Sequence, residues 1–177
     1  TRQWVREHAA GRTFLNLFAY TGSFSVYAAA GGARRSVTVD MSKTYQAWSR
    51  RNLVRNRLDD PQRHSFVQSD VLAFLARMRQ ARASFDLIVL DPPSFSNSKR
   101  MQDSFDVQRD QFELLRQTSA LLARGGELLF STNRQGFRLD ARVGELADVS
   151  EITAQTVPVD FKRRLPHRCW LLRNATG

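Results

Sequence analysis

The residues best suited to chemistry form one run, Asp91-Pro92-Pro93-Ser94-Phe95, placed directly after the apolar stretch Phe85-Asp86-Leu87-Ile88-Val89-Leu90. Two prolines fix their own φ angles and carry no backbone donor, so this turn is stiff and its carbonyls keep a set direction. Such a turn can hold a substrate amine or ring against a reacting centre. Asp91 can hold positive charge beside that centre, and Phe95 offers a ring on which a nucleobase could stack. Asp91, Pro92, Pro93 and Phe95 are therefore the candidate catalytic residues.

Three further groups stand where apolar runs end. Asn16-Leu17-Phe18-Ala19-Tyr20-Thr21-Gly22-Ser23-Phe24 reads as a buried strand, a tight turn and the start of a helix of small residues. Gly22 would let the backbone approach a ligand, and Ser23 could cap the helix. Asp40, 18 residues beyond Gly22, could accept hydrogen bonds from ribose hydroxyls. Asp70 could hold an adenine amino group. Each could also serve a plain turn or helix cap, but their placement at three successive strand ends points to a nucleoside cofactor. The G-x-G-x-x-G pattern is absent, and Phe18 and Tyr20 stand where many nucleotide loops have glycine. With no cradle for a pyrophosphate, the pattern favours S-adenosylmethionine, which carries no phosphate, over NAD.

The elements that must position these groups follow from periodicity. Short apolar runs alternate with amphipathic stretches, which predicts an α/β fold with a mainly parallel sheet. Strands are expected at Thr13–Ala19, Ser36–Val39, Ser65–Gln68, Phe85–Leu90, Glu127–Ser131, Ser150–Gln155 and Cys169–Leu172. Helices are expected at Ser23–Ala30, Lys43–Asn56, Val71–Ala81, Ser104–Leu122 and Arg138–Leu146. Between the last two strands there is too little chain for a crossover helix with its loops. They should form an antiparallel hairpin, and a parallel sheet with that ending is the layout of the Rossmann-like class I methyltransferase fold. Residues 1–12 read as the end of a preceding helix or a linker, and 13–177 as one domain, together a fragment of a longer protein.

Composition narrows the partners. Hydrophobic residues make up 42% and charged residues 25%, values that exclude disorder and coiled coil. No apolar run approaches the roughly 18 residues of a transmembrane helix. No signal-peptide core opens the chain, so a cytoplasmic protein with no membrane partner is expected. Cys169 is the only cysteine and the three histidines are dispersed, so no metal site is expected. Lys and Arg number 27 against 17 Asp and Glu, a net charge of +10, and 24 of the 27 are Arg. Arg grips phosphate in a bidentate fork and stacks on bases, which suggests a polyanion. Lys99, Arg100, Arg134, Arg138, Lys162, Arg163, Arg164 and Arg168 lie in the loops expected beside the reaction site, where they could form an RNA-binding rim.

The stretch Asp91-Pro92-Pro93-Ser94-Phe95-Ser96-Asn97-Ser98-Lys99-Arg100-Met101, followed by Phe105-Asp106-Val107-Gln108-Arg109-Asp110, resembles the C-terminal half of the bifunctional bacterial large-subunit ribosomal RNA guanine methyltransferases, the RlmK/L family. Asn16–Ser23, Thr38–Ser42, Asn133–Asp140 and Cys169-Trp170-Leu171 are similar to it as well. The resemblance implies an S-adenosylmethionine-dependent enzyme making N7-methylguanine in 23S ribosomal RNA, with an upstream methyltransferase and RNA-binding region in the longer chain. It implies that Phe18, Tyr20, Thr21, Gly22 and Ser23 line the methionine part of the cofactor. Asp40 and Met41 would then hold ribose and adenine, Asp70 and Val71 would face the adenine edge, and Asp91, Pro92, Pro93 and Phe95 would shape a guanine pocket.

Residue chemistry alone leaves the acceptor atom open. Related 5-methylcytosine enzymes need a cysteine nucleophile. The stretch Phe130–Gly136 has none, and Cys169 falls inside a strand expected in the core, so covalent ring-carbon methylation is disfavoured. Guanine N7 carries a free lone pair and needs placement rather than a general base. An exocyclic amine (guanine N2 or adenine N6) would need a proton acceptor at the Asp91-Pro92-Pro93 turn. A catalytically silent RNA-binding domain is the reading from outside enzymology. The resemblance points to N7.

Overall fold

The computed structural model describes residues 1–96, 104–157 and 167–174. In chain order its elements are α1 (Arg2–His8), β1 (Thr13–Leu17), α2 (Ser23–Ala30), β2 (Arg35–Asp40), α3 (Lys43–Arg55), β3 (His64–Gln68), α4 (Val71–Gln80) and β4 (Phe85–Leu90). Two short strands follow, β5 (Phe95–Ser96) and β6 (Phe105–Asp106), then α5 (Val107–Ser119) and the long β7 (Leu122–Thr132). A 3-10 turn at Ala141–Glu145, β8 (Asp148–Glu151), α6 (Thr153–Thr156) and β9 (Arg168–Arg173) complete the described chain.

Seven strands form one sheet in the order β3-β2-β1-β4-β7-β9-β8, and β5 pairs with β6 separately. Strands β1, β2, β3, β4 and β7 are parallel, while β9 runs antiparallel to both β7 and β8. The expected class I methyltransferase architecture is therefore present, with its reversed final strand. The chain passes outward from β1 to β3, then returns to β4 on the other side of β1. That places a topological switch point between β1 and β4, where open α/β sheets bind ligands.

The central strands are apolar throughout because both their faces are covered. Leu15, Leu17, Ile88, Leu90, Leu128 and Phe130 point into one core with Phe74 and Leu75 of α4 and Leu114 and Leu115 of α5. Phe14, Leu87, Val89 and Leu129 point into the other with Val5 of α1, Ala9 at its C-cap and Ala28 of α2. The first helix is thus packed into the domain. It crosses the end of α2 so closely that a Cβ at Gly31 would lie 2.1 Å from the Arg6 carbonyl oxygen.

Several sequence expectations need correction. The strand expected over Ser150–Gln155 is β8 followed by α6, because the chain turns at Ile152 (φ −116°, ψ 19°) and buries that side chain in the α1 core. The helix expected over Arg138–Leu146 is a single 3-10 turn of 5 residues, capped by Asp140 accepting from Arg142 N–H. The helix expected from Ser104 begins at Val107, because Phe105 and Asp106 pair with β5 and Asp106 caps α5. The first strand ends at Leu17 rather than Ala19, because Phe18 swings to a φ of 57°.

Candidate active site

The carboxyl ends of β1, β2, β4 and β7 border a cavity of about 1140 Å³. Its wall includes Phe18, Tyr20, Thr21 and Ser23 after β1, Asp40 and Met41 after β2, and Asp70 and Val71 after β3. Asp91, Pro92 and Pro93 follow β4, Ser131 and Asn133 close β7, Thr156 ends α6 and His167 precedes β9. The fold thus brings most of the expected site residues to one space. Gly22 and Phe95 do not line it; Phe95 stands 53% exposed on β5.

The loop after β1 is held in a costly conformation. Phe18, Tyr20 and Gly22 all have positive φ, at 57°, 50° and 71°, a region that bulky side chains rarely enter. Its backbone is tied down on several sides. Tyr20 N–H donates to Asp40 Oδ2 at 2.8 Å, Ser49 Oγ donates to Tyr20 O at 3.0 Å, and Asn52 Nδ2 donates to Thr21 O at 2.9 Å. Gly22 is required by packing as well as by φ, since a Cβ there would sit 2.6 Å from Ser49 Cβ. Ser49 and Asn52 lie on α3 in an ordinary amphipathic pattern, which is why sequence reasoning passed over them.

The acidic residues divide by task. Asp40 is a loop clamp, accepting from Tyr20 N–H with one oxygen and from Ser42 N–H with the other, both at 2.8 Å. Each oxygen keeps a further lone pair for a hydroxyl donor. Asp70 caps α4, its Oδ1 accepting from Ala73 N–H at 3.0 Å. Asp91 keeps accessible surface on the cavity while protein packs densely around its carboxyl. That burial raises its pKa above the ordinary aspartate range, opposed by Ser131 Oγ donating to Oδ1 at 2.7 Å and by the Arg2 guanidinium. Ser131 is buried at the end of β7 and looks from sequence like any strand residue. The turn is braced further along, where Ser94 Oγ donates to Asn133 Oδ1 at 2.7 Å.

Cys169 is fully buried, and burial pushes its thiol up to about 12. It is a core residue. Among the described residues, no group of three or more His, Cys, Asp or Glu could hold a metal, and no helix is long and apolar enough to cross a membrane.

Of the eight expected RNA-contacting cations, Lys99, Arg100, Lys162, Arg163 and Arg164 lie outside the described residues. Arg134 is engaged with Asp106 at 2.7 Å. Arg168 pairs with Glu151 at 2.6 Å, donates to Phe137 O and lies over the Trp170 ring. Arg138 is exposed, and its backbone holds the Gln108 side chain.

Known proteins resemble this chain over almost all of its length. Ribosomal RNA large subunit methyltransferase K of Neisseria meningitidis is 51% identical over 174 residues, which are 98% of this chain and 49% of that protein. Ribosomal RNA large subunit methyltransferase K/L of Marinobacter nauticus is 49% identical over 174 residues, 98% of this chain and 24% of that protein. The chain therefore spans from a quarter to a half of the length of these relatives. Among solved structures, SMU.776 complexed with SAH superposes with a TM-score of 0.79 at 29% identity, covering 97% of this chain and 48% of that one. A profile of S-adenosylmethionine-dependent methyltransferases matches residues 1–165. That match takes in α1, every parallel strand of the sheet and the whole loop after β1, so the chain belongs to the S-adenosylmethionine-dependent methyltransferase family.

Proposed function

We propose that this domain moves a methyl group from S-adenosylmethionine to N7 of a guanine in 23S ribosomal RNA. The observation that carries direct transfer is the Asp91-Pro92-Pro93 turn, which walls the cavity together with the strained loop after β1, while the buried Cys169 does not line it. The ribosomal acceptor rests on the names of the relatives above, and the N7 atom on the resemblance of the Asp91–Asp110 stretch.

The cavity fits the cofactor. Its volume slightly exceeds the roughly 300–1,000 Å³ of ordinary small-molecule sites, which leaves room for a nucleobase as well. Met41, Val71 and Leu72 give one end an apolar lining suited to adenine. Asp91 gives the other end a carboxylate suited to a cation. When bound, S-adenosylmethionine supplies a methyl group on a positively charged sulfur.

The chain's own residues then have three tasks. Asp40 holds the loop through Tyr20 and can accept from a ribose hydroxyl. Asp91, aimed by Ser131, holds positive charge near the line of transfer. Pro92 and Pro93 fix one wall against which an acceptor ring would be set, and that placement is what an in-line methyl transfer would require of the protein. Guanine N7 loses no proton on methylation, so no residue need act as general base.

The test is incubation of the chain with S-adenosylmethionine and unmodified large-subunit ribosomal RNA, followed by nucleoside mass spectrometry. N7-methylguanosine is expected, and Asp91→Ala should reduce it at least about 100-fold. An exocyclic methylated base would move the acceptor from N7 to an amine. Cofactor binding without any product would favour the silent RNA-binding reading.

A further inference from the structure

The charges on the cavity wall are unequal in a way the methyl-transfer reading leaves unused. Among the described residues the wall carries three carboxylates, Asp40, Asp70 and Asp91, and one guanidinium, that of Arg2. S-adenosylmethionine carries the opposite bias, two cationic groups (sulfonium and α-ammonium) and one α-carboxylate. A carboxylate brought into this cavity can pair with the Arg2 guanidinium; the other basic groups on the wall, the Thr1 amino group and the His167 ring, lie against Thr156.

Arg2 is also correctly placed for that end of the ligand. It opens α1, which packs across α2 with Val5 and Ala9 in the core, so the helix is fixed to the domain. Its charge acts on Asp91, at the β4 end of the cavity. Asp70 and Val71, which suit the adenine edge, lie after β3, two strands beyond β1 in the sheet. The Arg2 side chain makes no hydrogen bond or ion pair with any described residue.

We propose that Arg2 binds the α-carboxylate of the cofactor, and that Arg2 and Asp91 together read its amino-acid end as a zwitterion. The inference rests on the cofactor assignment and adds a residue outside the strand-end loops. A guanidinium can grip a carboxylate with two parallel N–H donors. That contact fixes how far the methionine arm reaches and hence where the sulfur sits.

The test compares two ligands by isothermal titration calorimetry. S-adenosylhomocysteine keeps the amino-acid end, whereas 5′-methylthioadenosine lacks it and keeps the adenosine and sulfur. Arg2→Ala should weaken S-adenosylhomocysteine by about 10- to 100-fold and leave 5′-methylthioadenosine unchanged, with Arg2→Lys between wild type and Ala. Unchanged affinity for S-adenosylhomocysteine would overturn the proposal, and a parallel loss of RNA binding would reassign Arg2 to a phosphate. Equal losses for both ligands would also overturn it, because Arg2 would then be shaping the cavity as a whole. If the wild-type chain bound neither ligand, the cofactor assignment itself would fall.

Discussion

At the scale of single residues, the site depends on atoms brought from distant parts of the chain. Gly22 meets two constraints together, a φ of 71° and the Ser49 side chain 2.6 Å from where a Cβ would lie. Gly22→Ala should lower stability by roughly 1–3 kcal/mol and weaken S-adenosylhomocysteine binding. Adding Ser49→Gly should recover the steric part and leave the φ cost of about 1 kcal/mol, as read by thermal unfolding. The sequence marks Gly22 as important but suggests approach to a ligand. The packing reason lies on α3, which no local pattern connects to the loop. Asp91 was legible because a strand running into two prolines is a local signal; Ser131 and Arg2 carry none. Asp91 also makes a pH prediction. Its pKa is raised by burial, and the α-ammonium of a bound ligand favours the ionised form. Affinity for S-adenosylhomocysteine should therefore fall as pH drops through that raised value, above the ordinary value of about 3.9. Asp91→Asn should bind more weakly near pH 7 and lose this acid limb; an unchanged limb would remove Asp91 from the ligand's charge balance.

At the scale of elements, caps and strand ends serve the fold and the cavity together. Asp70 ends the turn before α4, caps that helix through Ala73 N–H and lines the cavity. Asp70→Ala should cost about 1 kcal/mol of stability, and Asp70→Ser should restore most of it. If the carboxylate also faces adenine, Ser should leave S-adenosylhomocysteine affinity depressed, so the two variants separate in unfolding but coincide in calorimetry. The central strands were readable because burial on both faces makes them continuous apolar runs. The edge was not. The segment after Asp148 alternates like a strand, yet four residues suffice to pair with β9 before Ile152 is drawn into the α1 core. The segment around Ala141 has a helical pattern too short to propagate an α-helix, and helix nucleation is costly.

At the scale of the whole molecule, the two edges of the sheet do different work. The carboxyl edge holds the strained loop and the cavity, while the amino edge is stapled by polar contacts. Glu127, 7% exposed at the start of the parallel part of β7, accepts from Arg12 at 2.7 Å and from Arg173 at 3.0 Å. Asp86, opening β4, accepts from Thr13 N–H and Oγ1 at 2.8 and 2.7 Å. Burial pushes the Glu127 pKa up, but the two guanidiniums outweigh it and hold the carboxyl below its ordinary range. A depressed pKa adds stability that is complete above the unfolded-state value of about 4.3 and is lost as pH falls through the folded value. Glu127→Gln should therefore lower stability by about 1–2 kcal/mol near pH 7. The difference from wild type should shrink as pH falls below about 4, where the native carboxyl becomes protonated too. Because this staple sits at the opposite edge from the cavity, S-adenosylhomocysteine affinity at pH 7 should be unchanged under conditions where both proteins are folded. Denaturant unfolding at stepped pH, paired with calorimetry, reads both quantities. A gap that persists at low pH would mean that Glu127 stabilises the fold through packing and not through its charge. A loss of affinity would mean that the two edges are coupled through β7.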